Sequence, residues 1–443
     1  MKFVKSGPAA LKSRAMFDGN YDIIREIMAA LRYLTAGESH GKALIGILEG
    51  IPSGLGISPR DIDNDLVRRQ AGYGRGGRMK IEADRAEILS GVRWGQTIGS
   101  PIALLIENRD YRNWVKGMSF HAEDYGSIPA ITQPRPGHAD LSGSLKYRHQ
   151  DIRNVLERSS ARETAMRVAL GAIAKKFLQV FHISIGSYVL QIGGVRMREA
   201  DGPAAVSREK RQGAKGFGRS SRLGEGSNLK AFQSLFRKAE KSPVRCPDVE
   251  ASRRMVQLID EVTKSGNSVG GVFEVFVTGC PPGLGSYIQW DKRLDGRFSH
   301  ALMSIQAIKG VEVGLGFWMS ARFGSEVMDE IFFSRRTGYY RKTNNAGGIE
   351  GGMTDGMPIL LRAAMKPIPT LRRPLKSVDT VTKNPVQAVY ERSDICAVPA
   401  AGVIGEAMVA LTLADAFLEK FGGDSMEEVQ RNYESYMHSV KRS

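Results

Sequence analysis

Two of the seven histidines in this 443-residue chain stand where an imidazole can do chemistry. His40 lies in the polar turn Gly37-Glu38-Ser39-His40-Gly41, which offers little apolar surface for packing a ring. His138 lies in Pro134-Arg135-Pro136-Gly137-His138-Ala139-Asp140, where two prolines and a glycine hold the backbone beside an arginine and an acid. An imidazole in such a setting can transfer a proton near neutral pH or serve as a hydrogen-bonded structural ring, and the spacing admits both. His121, His149, His182, His300 and His438 lack comparable neighbours and read as surface or core. With no HxxxH spacing and no cysteine beside a histidine, no metal site is expected. The three cysteines, Cys246, Cys280 and Cys396, are far apart and form no CxxC pair, so neither a disulfide framework nor a zinc site is indicated, and a reducing cytoplasm fits.

Four segments combine glycine with titratable or cationic side chains: 37–41, 68–80, 135–140 and 347–352. Glycine lets backbone amides approach an anion closely, and a guanidinium grips a carboxylate or phosphate through two parallel hydrogen bonds. Together they point to an oxyanion pocket, although each alone reads equally well as a structural turn. Neither glycine cluster is a P-loop or a dinucleotide fingerprint. Asp394, in Arg392-Ser393-Asp394-Ile395-Cys396, adds an acid that can cap a turn or work beside an arginine.

These residues need elements to position them. Residues 31–35 and 43–48 read as strands flanking the His40 turn. Residues 59–69 read as a helix with Ser58 as N-cap and Pro59 at its first position, and the helix delivers Arg68 and Arg69 into the glycine-rich loop. Residues 148–180 carry the longest helical pattern, with Arg158, Ser159, Ser160, Arg162 and Glu163 in its first half as a face turned to something polar. Residues 270–277 and 311–317 alternate like strands, and a last helix over 403–420 stops at Gly422-Gly423. Residues 200–228 shift to Gly, Ser, Lys and Arg and read as an exposed, mobile insertion. Residues 1–30 lack a targeting pattern, because Asp18, Asp22 and Glu26 interrupt it.

The chain carries 63 Lys and Arg against 47 Asp and Glu, a net charge of +16, so its partners are expected to be anionic. Its most apolar stretch, 403–421, is broken by Glu406, Asp415 and Glu419, so no membrane partner is expected. The basic run 210–222 lacks interleaved aromatics and reads as a solvated face, so no nucleic-acid partner is expected either.

Segments 32–42, 68–84, 135–141, 158–172, 242–248, 344–356, 366–370 and 391–401, taken in that order, resemble the chorismate synthase family. The resemblance runs from about Leu31 to the C-terminus. It implies an α/β fold, a β-α-β sandwich in one large domain with helices packed between antiparallel sheets, assembled as a cytoplasmic homotetramer. It implies a lyase that converts 5-enolpyruvylshikimate 3-phosphate to chorismate and phosphate by 1,4-elimination, using reduced FMN, in the shikimate pathway to aromatic amino acids. By the family pattern His40 would give a proton to the departing phosphate, His138 would sit beside the reduced flavin, and Asp394 would help pass on the ring proton. Arg69, Arg75, Arg135 and Arg162 would hold substrate anions or NADP. Flavin contacts would come from Arg158, Ser159, Ser160, Gln306, Ala307, Gly351, Lys366, Pro367, Ile368, Pro369, Thr370 and Arg392. The resemblance leaves open whether NADPH or a separate flavin reductase supplies the electrons.

Three features depart from the family pattern. Residues 1–30 precede its usual start and are either an appended segment or an upstream start before Met28. The 200–228 insertion is longer than expected, and Met328 and Asp355 stand where His and Asn are expected.

Overall fold

The computed structural model describes residues 30–76, 81–198, 225–335, 338–391 and 393–442. In chain order its main elements are β1 (Arg32–Ala36), β2 (Ala43–Glu49), α1 (Pro59–Gln70), β3 (Glu87–Ile88), β4 (Ile102–Glu107), α2 (Asp140–Tyr147), α3 (Arg153–Ser159) and α4 (Thr164–Val180). Then follow β5 (Ser184–Ile192), β6 (Val195–Arg196), α5 (Glu225–Lys241), α6 (Val249–Lys264), β7 (Gly271–Thr278), α7 (Leu294–Met303), β8 (Ile308–Val313), β9 (Ile359–Met365), α8 (Val398–Phe421) and α9 (Met426–Arg442). The strands form two antiparallel sheets, ordered β1-β2-β4-β3 and β8-β9-β7-β5-β6. Helices α4, α8 and α1 fill the space between them, which is the expected sandwich.

Alternation explains the first sheet. Leu44, Gly46 and Leu48 on β2 and Ile102, Leu104 and Ile106 on β4 turn inward onto α4, while Ile45 and Ile47 face out. Gly46 is bare because a Cβ there would lie 2.5 Å from Met166 Sδ. Helix α8 is apolar on almost every side because nearly all of it is buried: it packs on α4 and against β5 and β7 of the second sheet, and only Glu419 and Lys420 at its end are exposed. It is long and apolar enough to cross a membrane by composition, yet 89% of its most apolar window is buried inside the protein.

The expected helix over 59–69 forms, and Asp61 Oδ2 accepts from both Ser58 N–H (2.9 Å) and Ser58 Oγ–H (2.6 Å) at its start. The continuous helix expected over 148–180 does not form. Arg148 takes a left-handed φ of +56° at the end of α2, and the chain breaks again at Ser160, whose backbone is extended and whose Oγ caps the short 3-10 turn Ala161–Glu163. A hydroxyl that satisfies exposed backbone donors competes with helix continuation, so apolar periodicity persists across a break that it cannot report. The strand expected over 311–317 ends at Val313 and passes into a 3-10 turn, Gly316–Ala321. The last expected helix begins five residues early, at Val398, and α9 follows it unanticipated. Of the expected insertion, residues 199–224 lie outside the described residues, and α5 begins at Glu225. Residues 1–29 also lie outside them.

Candidate active site

Two groups of charged side chains meet where the β1–β2 turn, the loop after α1 and the α3–α4 break converge, and a third lies on the loops 135–140 and 366–370. In the first, the His40 ring lies with Nδ1 2.8 Å from Glu157 Oε1, while the His40 backbone N–H donates to Glu157 Oε2 at 2.7 Å. The ring stacks on Trp114, centroids 4.3 Å apart, and Asp110 Oδ2 is 3.9 Å from Nε2. Burial would raise the Glu157 carboxyl, but the His40 hydrogen bonds outweigh it and hold the group below the usual carboxylate range.

In the second group, Asp84 lies between two buried arginines. Its Oδ1 accepts from Arg162 Nη1 at 2.6 Å, and its Oδ2 is 3.6 Å from Arg69 Nη1. Arg162 also donates through Nε to Asn108 Oδ1 (2.8 Å), so its fork is directed at the protein. Arg69 donates to Thr164 Oγ1 and to the Ala161 carbonyl, both from Nη2 at 2.9 Å. Burial pushes Arg69 down to about 9, against the pull of Asp84 and with the repulsion of Arg75 and Arg162. Arg69 Nη1 is buried and has no hydrogen-bond partner among the described residues. Arg75 Nη1 lies 3.3 Å from Asp394 Oδ2, and Asp394 Oδ1 accepts the Gly76 N–H at 2.6 Å. The glycines of this loop are structural: Gly74 has φ +82°, and a Cβ on Gly76 would meet the Ser393 carbonyl at 2.9 Å.

In the third group, Arg135 Nε donates to Asp140 Oδ2 (2.9 Å) and Nη1 to Thr370 Oγ1 (2.9 Å), while Asp140 also hydrogen-bonds His138 Nδ1. Burial would raise Asp140, but His138 and Arg135 hold it well below the usual range. Lys366 Nζ donates to the Gly137 carbonyl, and the Lys366 N–H donates to the Ala307 carbonyl at 2.9 Å. Ala307 has a left-handed φ of +66°.

The groups are continuous. Ser39 Oγ donates to Ser160 Oγ (3.1 Å), which accepts the Arg162 N–H (3.3 Å), so the His40 turn touches the Asp84 pair. Ser393 Oγ, next to Asp394, reaches the Thr370 carbonyl at 3.5 Å and so joins the second and third groups. Gln306 Nε2 donates to Glu163 Oε1 at 2.6 Å, beside Arg162, and its Oε1 is buried without a hydrogen-bond partner among the described residues. Ser159 Oγ donates within its own helix to the Val155 carbonyl at 2.6 Å, and Arg158 ties the β1–β2 turn through the Thr35 and Gly37 carbonyls. Ile368 accepts from Ser268 Oγ at 2.6 Å, and Pro367 and Pro369 flank it in the same loop.

Gly351 stands apart. It turns a hairpin whose Gly352 carbonyl accepts the Leu294 N–H at the start of α7, whereas Gln306 lies past the other end of that ten-residue helix, about 15 Å away at 1.5 Å per residue. Arg392 lies outside the described residues. Met328 is exposed, and burial raises Asp355, whose Oδ2 is 3.8 Å from Arg341 Nε.

Sequence reasoning missed Glu157, Asp84, Asp110 and Trp114 as partners. Asp140, two residues from His138, was visible as a neighbour; the others come from segments 15 to 117 positions away from what they hold, and no local spacing marks them.

A two-sheet sandwich that gathers imidazoles, guanidinium groups and buried carboxylates into one network has the make-up of an enzyme site for a small molecule. The chorismate synthase family model matches residues 31–418. Chorismate synthase of Aquifex aeolicus is 56% identical over 411 residues, covering 93% of this chain and 98% of that protein. The Geobacter sulfurreducens protein of the same name is 54% identical over 418 residues, covering 93% and 99%. A solved crystal structure of a chorismate synthase superposes with a TM-score of 0.72 at 48% identity, covering 93% of this chain and 99% of that one. The chain belongs to the chorismate synthase family, enzymes of the lyase class in the shikimate pathway.

Proposed function

We propose that this chain converts 5-enolpyruvylshikimate 3-phosphate to chorismate and inorganic phosphate by 1,4-elimination, with reduced FMN as cofactor. The observation that carries the proposal is the single network joining His40 and His138, each held by its own buried carboxylate, to Arg69, Arg75 and Asp394. A substrate with two carboxylates and a phosphate demands such a set of cations. Arg69 Nη1, 3.6 Å from Asp84 Oδ2 and without a hydrogen-bond partner among the described residues, suits an anion oxygen, and Gln306 Oε1, likewise without a hydrogen-bond partner there, is an acceptor of the kind that a flavin ring N–H requires.

FMN would be held by Arg158, Ser159, Ser160, Gln306, Ala307, the loop 366–370 and Arg392, with Gly351 contributing if a neighbouring subunit brings it close. Reduced FMN, when bound, supplies electron density that eases cleavage of the carbon–oxygen bond without net oxidation. His40 delivers a proton from Nε2 to the leaving phosphate. Arg69, Arg75 and Arg135 neutralise the substrate anions, with Arg162 bracing Asp84 behind them. Asp394, oriented by Gly76 N–H and Arg75, takes up the ring proton, and His138 steadies the flavin edge.

The exposed apolar face of the first sheet, with Leu34 at 73% and Ile47 at 43%, supports assembly as a homotetramer. Three buried free cysteines suit a cytoplasmic setting. NADPH acting directly and a separate flavin reductase both meet the need for electrons; anaerobic turnover with NADPH and FMN alone separates them.

Anaerobic assay with dithionite-reduced FMN should release phosphate and chorismate in equal amounts. His40→Ala and His138→Ala should each lower kcat about 10²- to 10⁴-fold while leaving the melting temperature near that of the parent. A variant that keeps the parent rate removes that histidine's proton role, and net reduction of the substrate in place of phosphate release would mean a different flavoenzyme.

A further inference from the structure

Glu157 is a buried carboxylate for which the expected chemistry has no place, yet it holds the His40 turn at three points. Its Oε2 accepts the His40 backbone N–H at 2.7 Å, its Oε1 lies 2.8 Å from His40 Nδ1, and its own carbonyl accepts the Ser39 N–H at 2.9 Å. The side chain is 3% exposed. Arg153 Nη1 approaches the same Oε1 at 3.6 Å, and its guanidinium sits 4.8 Å over the Trp114 ring on which His40 stacks. Backbone and ring of His40 are thus held from one carboxylate, with the ring face fixed by an indole that the carboxylate's own arginine supports.

We propose that Glu157 is the positioning residue that sets the tautomer and orientation of His40. A carboxylate only accepts, so the ring nitrogen facing it must carry hydrogen, and Nδ1–H is thereby committed to Glu157. Nε2, on the far side of the ring and 3.9 Å from Asp110 Oδ2, is then the nitrogen that exchanges a proton with substrate. The arrangement parallels the way a buried carboxylate orients a working imidazole in other sites, where losing the partner costs activity without touching substrate. Glu157 is not itself the donor: the His40 bonds keep it ionised despite its burial. The inference rests on the reading of His40 as the proton donor.

The direct test is neutron diffraction from deuterium-exchanged parent enzyme. Deuterium on Nδ1, within the Glu157 hydrogen bond, is expected; a bare Nδ1 overturns the inference whatever any variant does. Kinetically, Glu157→Gln keeps the volume but presents one amide NH2 where two acceptors stood. It should lower kcat about 10- to 100-fold, leave KM for 5-enolpyruvylshikimate 3-phosphate within about twofold, and be partly rescued by Glu157→Asp. A raised KM with unchanged kcat would make Glu157 a binding group and overturn the inference. If Glu157→Gln keeps the parent kcat while His40→Ala loses it, the positioning role fails and the donor role stands. If His40→Ala keeps the parent rate, the donor role falls and takes the positioning role with it.

Discussion

Asp84 Oδ1 and Arg162 Nη1 are 2.6 Å apart with side chains 0% and 2% exposed, a fully buried ion pair beneath the site. Removing one partner of such a pair strands the other charge in a poor dielectric, at a cost of about 3–5 kcal/mol. Arg162→Ala should therefore lower the stability in urea by that amount, with activity lost through unfolding. Arg162→Lys keeps the charge but cannot reach both Asn108 and Asp84 through a planar fork, and should recover only part. A stability within 1 kcal/mol of the parent for Arg162→Ala would show that the pair is dispensable.

Arg69 predicts a response to anions. Burial drives it down to about 9 and Arg75 and Arg162 repel it, so at neutral pH it is a cation in an unfavourable place. An anion bound beside it relieves that cost. FMN with substrate, at about 100 times Kd, should stabilise the fold by about 2.7 kcal/mol, read as a higher melting temperature. No rise at saturating ligand would separate Arg69 from the binding site.

Acid should unfold the protein through a named set of carboxyls. Glu157, Asp140, Glu240 and Glu406 all lie below their ordinary values because cations or histidine hydrogen bonds outweigh burial. A lowered folded value means stability that is full above the unfolded value, near pH 4, and lost as pH falls further. Glu406 matters most, since Arg68, Lys175 and Ser187 donate to it in the middle of the apolar α8. Asp355 and Asp415, raised by burial, oppose the trend. Glu406→Gln should destabilise the protein at pH 7 and flatten its stability loss between pH 4 and pH 2, as followed by circular dichroism; an unaltered acid profile would remove Glu406 from the set.

Two glycines should respond oppositely to alanine. A Cβ on Gly171 of α4 would lie 2.4 Å from Ala407 Cβ on α8, so Gly171→Ala must push two core helices apart, at a cost of about 1–3 kcal/mol. A Cβ on Gly296 of α7 would meet nothing within 4 Å, so Gly296→Ala should gain about 0.5–1 kcal/mol from helix propensity. Chemical denaturation checks both, and equal effects would mean that α4 and α8 are not in close contact.

The thiols should be silent in the native protein. All three are buried, and burial pushes Cys396 up to about 12. A disulfide reagent at pH 8 should find almost no thiolate until denaturant is added, and then three. Rapid labelling of the folded protein would show that one of these sites opens.

Several of the side chains that meet in this network were legible as local chemistry. Histidines held among glycine, proline and arginine, and arginines in a glycine-rich loop, announce themselves because backbone freedom and charge at short spacing are properties of a segment. Single elements were legible for a similar reason: β2 alternates and α4 repeats at helical spacing, so each shows one apolar face, whereas the sandwich itself was implied only by the family resemblance. Chain order showed Asp140 beside His138 but could not show which carboxylate His40 would meet. Glu157 reaches His40 across 117 positions and Asp84 reaches Arg162 across 78, and only packing of α3 and α4 beneath the first sheet brings them within hydrogen-bond range. Nor could apolar periodicity reveal the break at Ser160, because a serine hydroxyl that caps a new turn leaves the hydrophobic pattern on either side unchanged. Residue type sets what a side chain is able to do; the distance that decides whether it does so is set by how the helices pack between the two sheets.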